Sequence, residues 1–241
     1  MAISRIGFNG HTSDEFHLAI SYPFEFVHPE SDITAVSVPG VNGDTIQSNM
    51  RYKNFVQPVT FVLHRPFQSP TLQSIGREIR NWVAGDDYSP LTADLISGYE
   101  WEAHVSAAPT MTITNNMWAQ VIVQFDCKPF LKRLDGQQWQ SVPAQVNNTE
   151  QWSAEPLWHI KGTGNLTLTV NGLAYQLNGI DDEIYVDSER ALVYKTLTDS
   201  RAGLAIFPDN DFPVLTPGNN TISLTGSYTG FEYQPNWRCL A

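Results

Sequence analysis

The residues of this sequence that could do chemistry are its histidines, its acidic pairs and its glycine-rich turns. Two histidines on one face of a helix or strand can bind a metal ion, which needs an i,i+4 or His-x-His spacing. The six histidines are dispersed and show neither spacing: His11, His17, His28, His64, His104 and His159. They therefore predict no local metal pair.

Two acidic clusters could suggest a calcium site. Asp181-Asp182-Glu183 and Asp209-Asn210-Asp211 carry closely spaced carboxylates, but neither has the spacing of a calcium loop with a distal glutamate. We interpret both as solvated turns. A carboxylate pair for glycoside hydrolysis could still come from distant strands, although nothing in the sequence indicates a particular pair.

The glycine-rich and cysteine-containing segments show no cofactor or nucleophile pattern. Gly162-Thr163-Gly164 begins like a dinucleotide fingerprint, but the third glycine and the following helix are missing. The sequence has neither a Gly-x-Ser-x-Gly elbow nor a phosphate-binding loop. Cys127 and Cys239 stand far apart, so we expect two reduced thiols. We therefore predict no catalytic residues, no cofactor and no metal, and a protein that is not an enzyme.

The second half of the chain offers one binding feature, a set of tryptophans. An exposed indole could stack on a sugar ring, although core packing is the commoner role of tryptophan. Both interpretations stay open for the four candidates: Trp139, Trp152, Trp158 and Trp237.

Composition narrows the function classes further. The chain has 241 residues, 41% of them hydrophobic, which suffices for one large or two ordinary domains. Its formal net charge of −11 disfavours binding to nucleic acids or to anionic membrane surfaces. The first residues lack the apolar stretch of a signal peptide, and no apolar run approaches the ~20 residues of a membrane span. We expect a folded protein made in a cytoplasm.

The residue patterns of the first half predict strands and one helix. Apolar residues recur at helical spacing over about residues 70–84, with Ser69 as the expected N-cap and Pro70 as the first helical residue. Pro58 lies within the strand-like run 55–63 and predicts a sheet edge or a bulge there, because proline cannot donate to the ladder.

The second half of the chain predicts a β-sandwich. Polar residues at about 135–155 indicate a linker, so we place the domain boundary between residues 135 and 136. Beyond it, short strands are separated by turn signals, of which Asn171-Gly172 is the strongest hairpin signal.

One stretch of the first half joins a short strand to two turn signals. It reads Val36-Ser37-Val38-Pro39-Gly40-Val41-Asn42-Gly43-Asp44, and the chain stays mostly polar through Asn54 before the run 55–63. Two β-rich runs joined by such an arm indicate a long hairpin or a projecting loop.

This stretch resembles a segment of a known family. Val38–Asp44 looks like the Pro-Gly-x-x-Gly-Asp/Glu segment of the distal tail protein (Dit) family of phages with long non-contractile tails. Other segments resemble family features in the same order and extend the resemblance over nearly the whole chain. They are Ile79–Val83 (the helix), Phe125–Phe130 (Phe-x-x-x-Pro-Phe), Gly164–Gly172 (the Asn-Gly hairpin), Ile184–Glu189 (the Asp-Ser strand end), Asp211–Asn220 (Asp-Phe-Pro-x-Leu-x-Pro-Gly-x-Asn) and Pro235–Arg238 (the ending).

The resemblance implies a fold and a set of partners. The expected fold is mainly β, with a β-sandwich-like N-terminal domain (1–135) that carries one helix and a C-terminal galectin-like or carbohydrate-module-like sandwich (136–241). The expected protein is a structural part of the virion. It forms a homo-hexameric ring at the tail tip, made in the host cytoplasm, and joins the tail tube protein to a tail-associated lysin or fibre hub and to receptor-binding proteins. DNA could pass through the ring without specific binding, and an acidic lumen would repel its phosphates.

The arm of about residues 40–54 is then the expected contact between subunits. Its basic residues could pair with a neighbour's acidic surface, and the candidate contact residues are Pro39, Gly40, Asn42, Gly43, Asp44, Arg51, Tyr52 and Lys53. The alternative function is a host cell-wall adhesin that binds carbohydrate through the C-terminal sandwich.

Overall fold

The computed structural model describes residues 4–67 and 70–241, and over these residues the chain is mainly β with one α-helix. The predicted fold class is thereby confirmed. Contacts divide the chain into two compact units, which we call the first unit (residues up to Leu131, with Leu240–Ala241) and the second unit (Lys132–Cys239). The chain thus returns to the first unit at its last residues, where Ala241 N donates to Pro129 O at 3.0 Å.

The first unit is built on one antiparallel sheet and one helix. The central path of the sheet runs β2-β1-β7-β8-β10-β6-β3, β9 pairs with β10, and β4 and β5 form a separate two-stranded sheet. The elements are β1 (Ile6–Phe8), β2 (His11–Thr12), β3 (Leu18–Ile20), β4 (Ser31–Ser37), β5 (Asp44–Tyr52), β6 (Phe55–His64), α1 (Leu72–Val83), β7 (Ser89–Ala93), β8 (Tyr99–Val105), β9 (Thr110–Ile113) and β10 (Trp118–Arg133).

Strand β6 shows how the alternating pattern makes the core. Val59, Phe61 and Leu63 are buried, and the residues between them point the other way, because side chains alternate across a strand. Its partner β3 covers only residues 61–63, so Pro58 lies on an edge, as predicted. At this edge the side chain of the buried Gln57 bonds to the neighbouring segment in place of a strand. Its amide donates to Glu25 O at 2.8 Å and accepts from Val27 N at 3.0 Å.

Helix α1 packs its apolar face on the sheet. Its buried residues are Leu72, Ile75, Ile79, Trp82 and Val83, which is the predicted helical spacing. The predicted start was wrong. Thr71 is the N-cap, because its hydroxyl accepts from Ser74 N at 3.3 Å, and Pro70 precedes the helix; Ser69 lies outside the described residues.

The turn between β1 and β2 holds the other end of the helix. Asn9, at φ 49°, donates from its amide to Trp82 O at 2.9 Å and to Ala84 O at 3.2 Å. The Trp82 indole donates to Phe8 O at 2.7 Å. The two bonds from Asn9 satisfy carbonyls at the end of the helix, where the last turn leaves them without an intrahelical partner.

The second unit encloses a second apolar core, as in a β-sandwich. The path of its strands runs β11-β19-β13-β15-β16-β17, with β12 paired to β19 and β14 paired to β13 and β18. Its strands are β11 (Gln140–Ser141), β12 (Gln145–Asn148), β13 (Leu157–Val170), β14 (Leu173–Ile180), β15 (Glu183–Asp187), β16 (Leu192–Thr196), β17 (Asp199–Ser200), β18 (Ala205–Ile206) and β19 (Gly218–Gln234). The last strand, β20 (Arg238–Leu240), pairs with β10 of the first sheet.

The Asn-Gly turn forms the predicted hairpin between β13 and β14. Asn171 (φ 51°) and Gly172 (φ 84°) both have positive φ, as a two-residue hairpin turn requires. Asn171 also accepts from Thr221 N at 2.9 Å, which joins the turn to β19.

A buried asparagine connects this hairpin to the loop before β19. Asn220 is fully buried. Its carbonyl oxygen accepts from Asn171 Nδ2 at 2.7 Å and from Thr216 N at 2.8 Å. Its amide donates to Thr216 O at 2.8 Å and to Gly218 O at 2.9 Å. Both ends of the side chain are therefore satisfied inside the protein.

We predict that Asn220→Ala destabilises the second unit by about 3 kcal/mol, because it leaves several buried donors and acceptors unpaired. Urea unfolding of the full chain, with hydrogen exchange of the β13 and β19 amides, measures the loss. Asn219→Ala is the matched control, since Asn219 is the exposed neighbour and should shift stability by less than about 0.5 kcal/mol. Equal effects of the two substitutions would contradict the assignment.

Candidate assembly interface

The hairpin β4–β5 forms a sheet of its own, and we call it the projecting hairpin (Ser31–Tyr52). Its register pairs Ala35 with Ile46 and Ser37 with Asp44. At its tip, Val41 N donates to Val38 O at 3.1 Å, and Gly40 and Gly43 have φ of 83° and 85°. These positive φ angles explain why the tip carries glycine at both positions.

The projecting hairpin leaves its apolar side chains in solvent. Ile33 and Ile46 lie on one face, where Ile46 is 58% exposed, and Val36 is exposed on the other face. A two-stranded hairpin alone is at best marginally stable in water, since it has no further strand or layer to cover it. Contiguous exposed apolar side chains commonly mark a contact surface.

A bulge near the base of the hairpin adds a further apolar residue. The register shifts between Ser31 and Ile33, and Met50 opposite this shift has φ 55° and a side chain that is 91% exposed. Positive φ is uncommon for a residue other than glycine, and bulges re-aim side chains at sheet edges and beside functional sites.

An acidic residue, Asp32, bonds to the residues of this bulge. Asp32 accepts from Arg51 Nε at 2.6 Å, and Lys53 Nζ lies 3.9 Å from its other oxygen. Hydrogen bonds from Arg51, then from Asn49, hold the pKa of Asp32 below its ordinary value. The contact is therefore complete at neutral pH and is lost as the pH falls through this lowered pKa.

The basic residues have a partner within the chain. Arg51 and Lys53 interact with Asp32, because the bulge brings the three side chains together. Their pairing with an acidic surface of a neighbour stays a prediction. Tyr52 packs edge-on against Phe130, with ring centroids 6.2 Å apart. These three residues form the base of the hairpin.

The other predicted contact residues lie at the tip. Pro39, Gly40, Asn42 and Gly43 are exposed between the two strands, and Asp44 begins β5. The arm predicted as mostly polar is thus largely a strand. The sequence interpretation missed Ile33, Val36, Ile46 and Met50, although their placement among Thr, Ser and Gln was a signal of an uncovered strand.

The predicted sugar-stacking tryptophans separate into two groups. Trp158 is 0% exposed and Trp237 is buried, so neither can stack on a ligand, because both fill the core of the second unit. That prediction was wrong for these two residues. Trp152 is half-buried, and Trp139 is 43% exposed.

The residues that could do chemistry do not come together. Within residues 4–67 and 70–241, no three His, Cys, Asp or Glu side chains form a group that could hold a metal ion. Both cysteines are free thiols, and burial raises the pKa of Cys127 to about 12, so its thiol stays protonated at neutral pH. None of the helices in the described part of the chain is long and apolar enough to cross a membrane.

Comparison with known proteins identifies the fold. No protein-family model and no curated protein sequence matches the chain. A solved phage protein does match in structure, with a TM-score of 0.69 over 96% of this chain and 97% of that one, at 15% sequence identity. The chain therefore has the fold of a phage adsorption protein.

That protein is SPP1 Dit (gp 19.1), described as a paradigm of the hub adsorption apparatus in phages that infect Gram-positive hosts. The structural match covers both units, and the two units follow each other in the same order in both chains. At this identity it shows the fold, which is the fold that the sequence motifs predicted.

We predict that Asp32→Ala loosens the bulge, since Arg51 and Asn49 lose their shared acceptor. Backbone order parameters of residues 48–51 should fall from about 0.85 to below about 0.6. Asp44→Ala, at the far end of the same strand, should leave residues 48–51 unchanged. Acidification of the unaltered protein through the Asp32 pKa should reproduce the looser bulge; unchanged order in both cases would show that other contacts hold it.

Proposed function

We propose that this chain is a structural virion protein, a hub subunit at the distal end of a phage tail. The observation that carries the proposal is the match to SPP1 Dit along nearly the full length of both chains. A hub needs surfaces for assembly and no catalytic group. The projecting hairpin, with its uncovered apolar side chains, supplies such a surface.

The first unit is proposed to form the ring. Six copies would close a homo-hexamer, with the projecting hairpin of each copy laid on the next. This contact is heterologous, because the hairpin of one subunit meets a different surface of its neighbour, and such contacts close into rings when the rotation permits. The neighbour would cover one face of the hairpin, with Ile33 and Ile46, which the subunit alone leaves in water.

The two outer edges of the projecting hairpin support the same proposal. Strand β4 pairs only with β5 among the described strands, so each has one edge without a strand partner. A sheet edge of a neighbouring subunit would satisfy backbone groups on both sides, and β-branched side chains such as Ile33 and Ile46 suit a paired strand. Proteins usually protect an exposed edge, so an unprotected one favours an assembly role.

The remaining parts of the proposal follow from a hub position. The ring would join the tail tube protein to a tail-associated lysin or fibre hub, and the second unit would attach receptor-binding proteins. We place the domain boundary of this division near residue 135. The protein would be found at the virion tail tip, after assembly in the host cytoplasm. The net charge of −11 suits a ring that lets DNA pass without holding it.

We predict that the full chain at micromolar concentration has a mass about six times that of its 27.0 kDa subunit, and that Ile46→Asp prevents this. A carboxylate buried at the contact without a partner should lower the assembled fraction at least about tenfold. Size-exclusion chromatography with light scattering, together with negative-stain images, measures both results.

The control for this experiment is Leu197→Asp. Leu197 is also an exposed apolar residue, at 79%, but it lies in the second unit and should leave assembly unchanged. A monomeric parent protein would overturn the hub proposal. Rings that survive both Ile46→Asp and Val36→Asp would instead place the contact outside the projecting hairpin.

A further inference from the structure

The outward face of the sheet in the second unit carries a row of aromatic rings. His159 of β13 pairs with Tyr185 of β15, and Tyr185 pairs with Tyr194 of β16, so the three side chains are cross-strand neighbours. The residues that flank these three along their strands are buried in the core, namely Trp158, Ile184, Val186 and Val193. The row therefore lies on the side of the sheet away from that core.

The three rings are stacked on one another. The His159 and Tyr185 centroids are 4.2 Å apart with an interplanar angle of 3°, and those of Tyr185 and Tyr194 are 5.3 Å apart at 8°. Cross-strand pairs of this kind stabilise a sheet by themselves. Sheet stabilisation therefore explains the three stacked rings, but it does not explain the exposed ring beside them.

That exposed ring is Trp139, just before β11. Its centroid lies 5.7 Å from that of His159 at 66° and 6.3 Å from that of Tyr185 at 69°. These are edge contacts, which hold the indole in place, and 43% of the residue remains exposed. An indole held in this way offers an apolar surface of fixed orientation.

Polar groups surround this surface. Glu183 Oε2 lies 2.8 Å from His159 Nε2, and Glu232 Oε2 lies 3.9 Å from His159 Nδ1. Burial, then the charges of Glu183 and Glu232, raise the pKa of Tyr185, so its hydroxyl remains a donor at neutral pH. The Trp139 indole thus contacts His159 and the Tyr185 phenol, and His159 lies beside two carboxylate acceptors.

We infer that this face, defined by Trp139, Tyr185, Glu183 and Glu232, binds a neutral carbohydrate. The C–H face of a pyranose would pack on the indole, and the two carboxylates would accept its hydroxyl hydrogens. The same carboxylates would repel a phosphate- or uronate-bearing chain, so the charge of the face selects neutral sugars. This activity is separate from the hub role, since none of these residues belongs to the projecting hairpin.

The test measures binding of hexasaccharides to the full chain by saturation-transfer difference NMR and calorimetry. The neutral probes are maltohexaose, cellohexaose and chitohexaose, and hexagalacturonate is the anionic probe. We expect at least one neutral probe to bind and the anionic probe to bind at least tenfold more weakly. Trp139→Ala should weaken the neutral probe at least tenfold, whereas Trp139→Phe should stay within about threefold of the parent.

Two further variants separate recognition from general damage. Tyr185→Phe keeps the stacked ring and removes the hydroxyl, and it should weaken binding about threefold to fivefold. Trp118→Ala is the matched control, because Trp118 is also 43% exposed but lies in the first unit, and it should leave binding unchanged.

The inference is overturned if none of the neutral probes binds, if hexagalacturonate binds as well as they do, or if Trp118→Ala and Trp139→Ala weaken binding equally. Loss of association with a protein on Trp139→Ala, without binding of any sugar, would make the face a protein interface and also overturn it. Ring formation by Trp139→Ala is measured in parallel and should be normal, so failure here is distinguishable from failure of the hub proposal.

Discussion

Among the described strands, β4 and β5 pair only with each other, so no further strand of the subunit extends their sheet. The two units bury their own apolar residues in separate cores, while the projecting hairpin keeps Ile46 and Met50 in water. Burial of such side chains contributes about 1.5–3 kcal/mol each. A surface that covered these side chains would therefore stabilise the hairpin.

The sequence predicted those elements whose signals are local. The helical spacing of Ile75, Ile79 and Trp82 predicted α1, and the Asn171-Gly172 pair predicted the hairpin. Each prediction needs only residues that are close together in the sequence. The N-cap was misplaced by two residues, since Ser69 and Thr71 are both acceptable cap residues and only the chain path selects between them.

The candidate site was less predictable, for a physical reason. Alternation shows that two faces of a strand differ, but not which face meets the core, so Trp158 and Trp139 could not be separated before the sheets were known. Strand β5 also escaped prediction. Its residues are mostly polar because neither of its faces meets a core, and its strand conformation depends on pairing with β4, seven to twenty-one residues away. The motif residues Asn171 and Asn220 bond to each other and join the β13–β14 hairpin to β19, which is a contact that the sequence motifs alone did not indicate.

The return of Leu240–Ala241 to the first unit has a mechanical meaning. The chain leaves the first unit after Leu131 and is back in it at Leu240, so the second unit has one covalent connection to the first sheet and a second attachment made of hydrogen bonds. A tensile load applied to the second unit would be shared between two stretches of backbone. One of them continues from β10 of the first sheet, and the other ends in the hydrogen bond from Ala241 to Pro129. Pulling on the second unit would therefore strain both attachments.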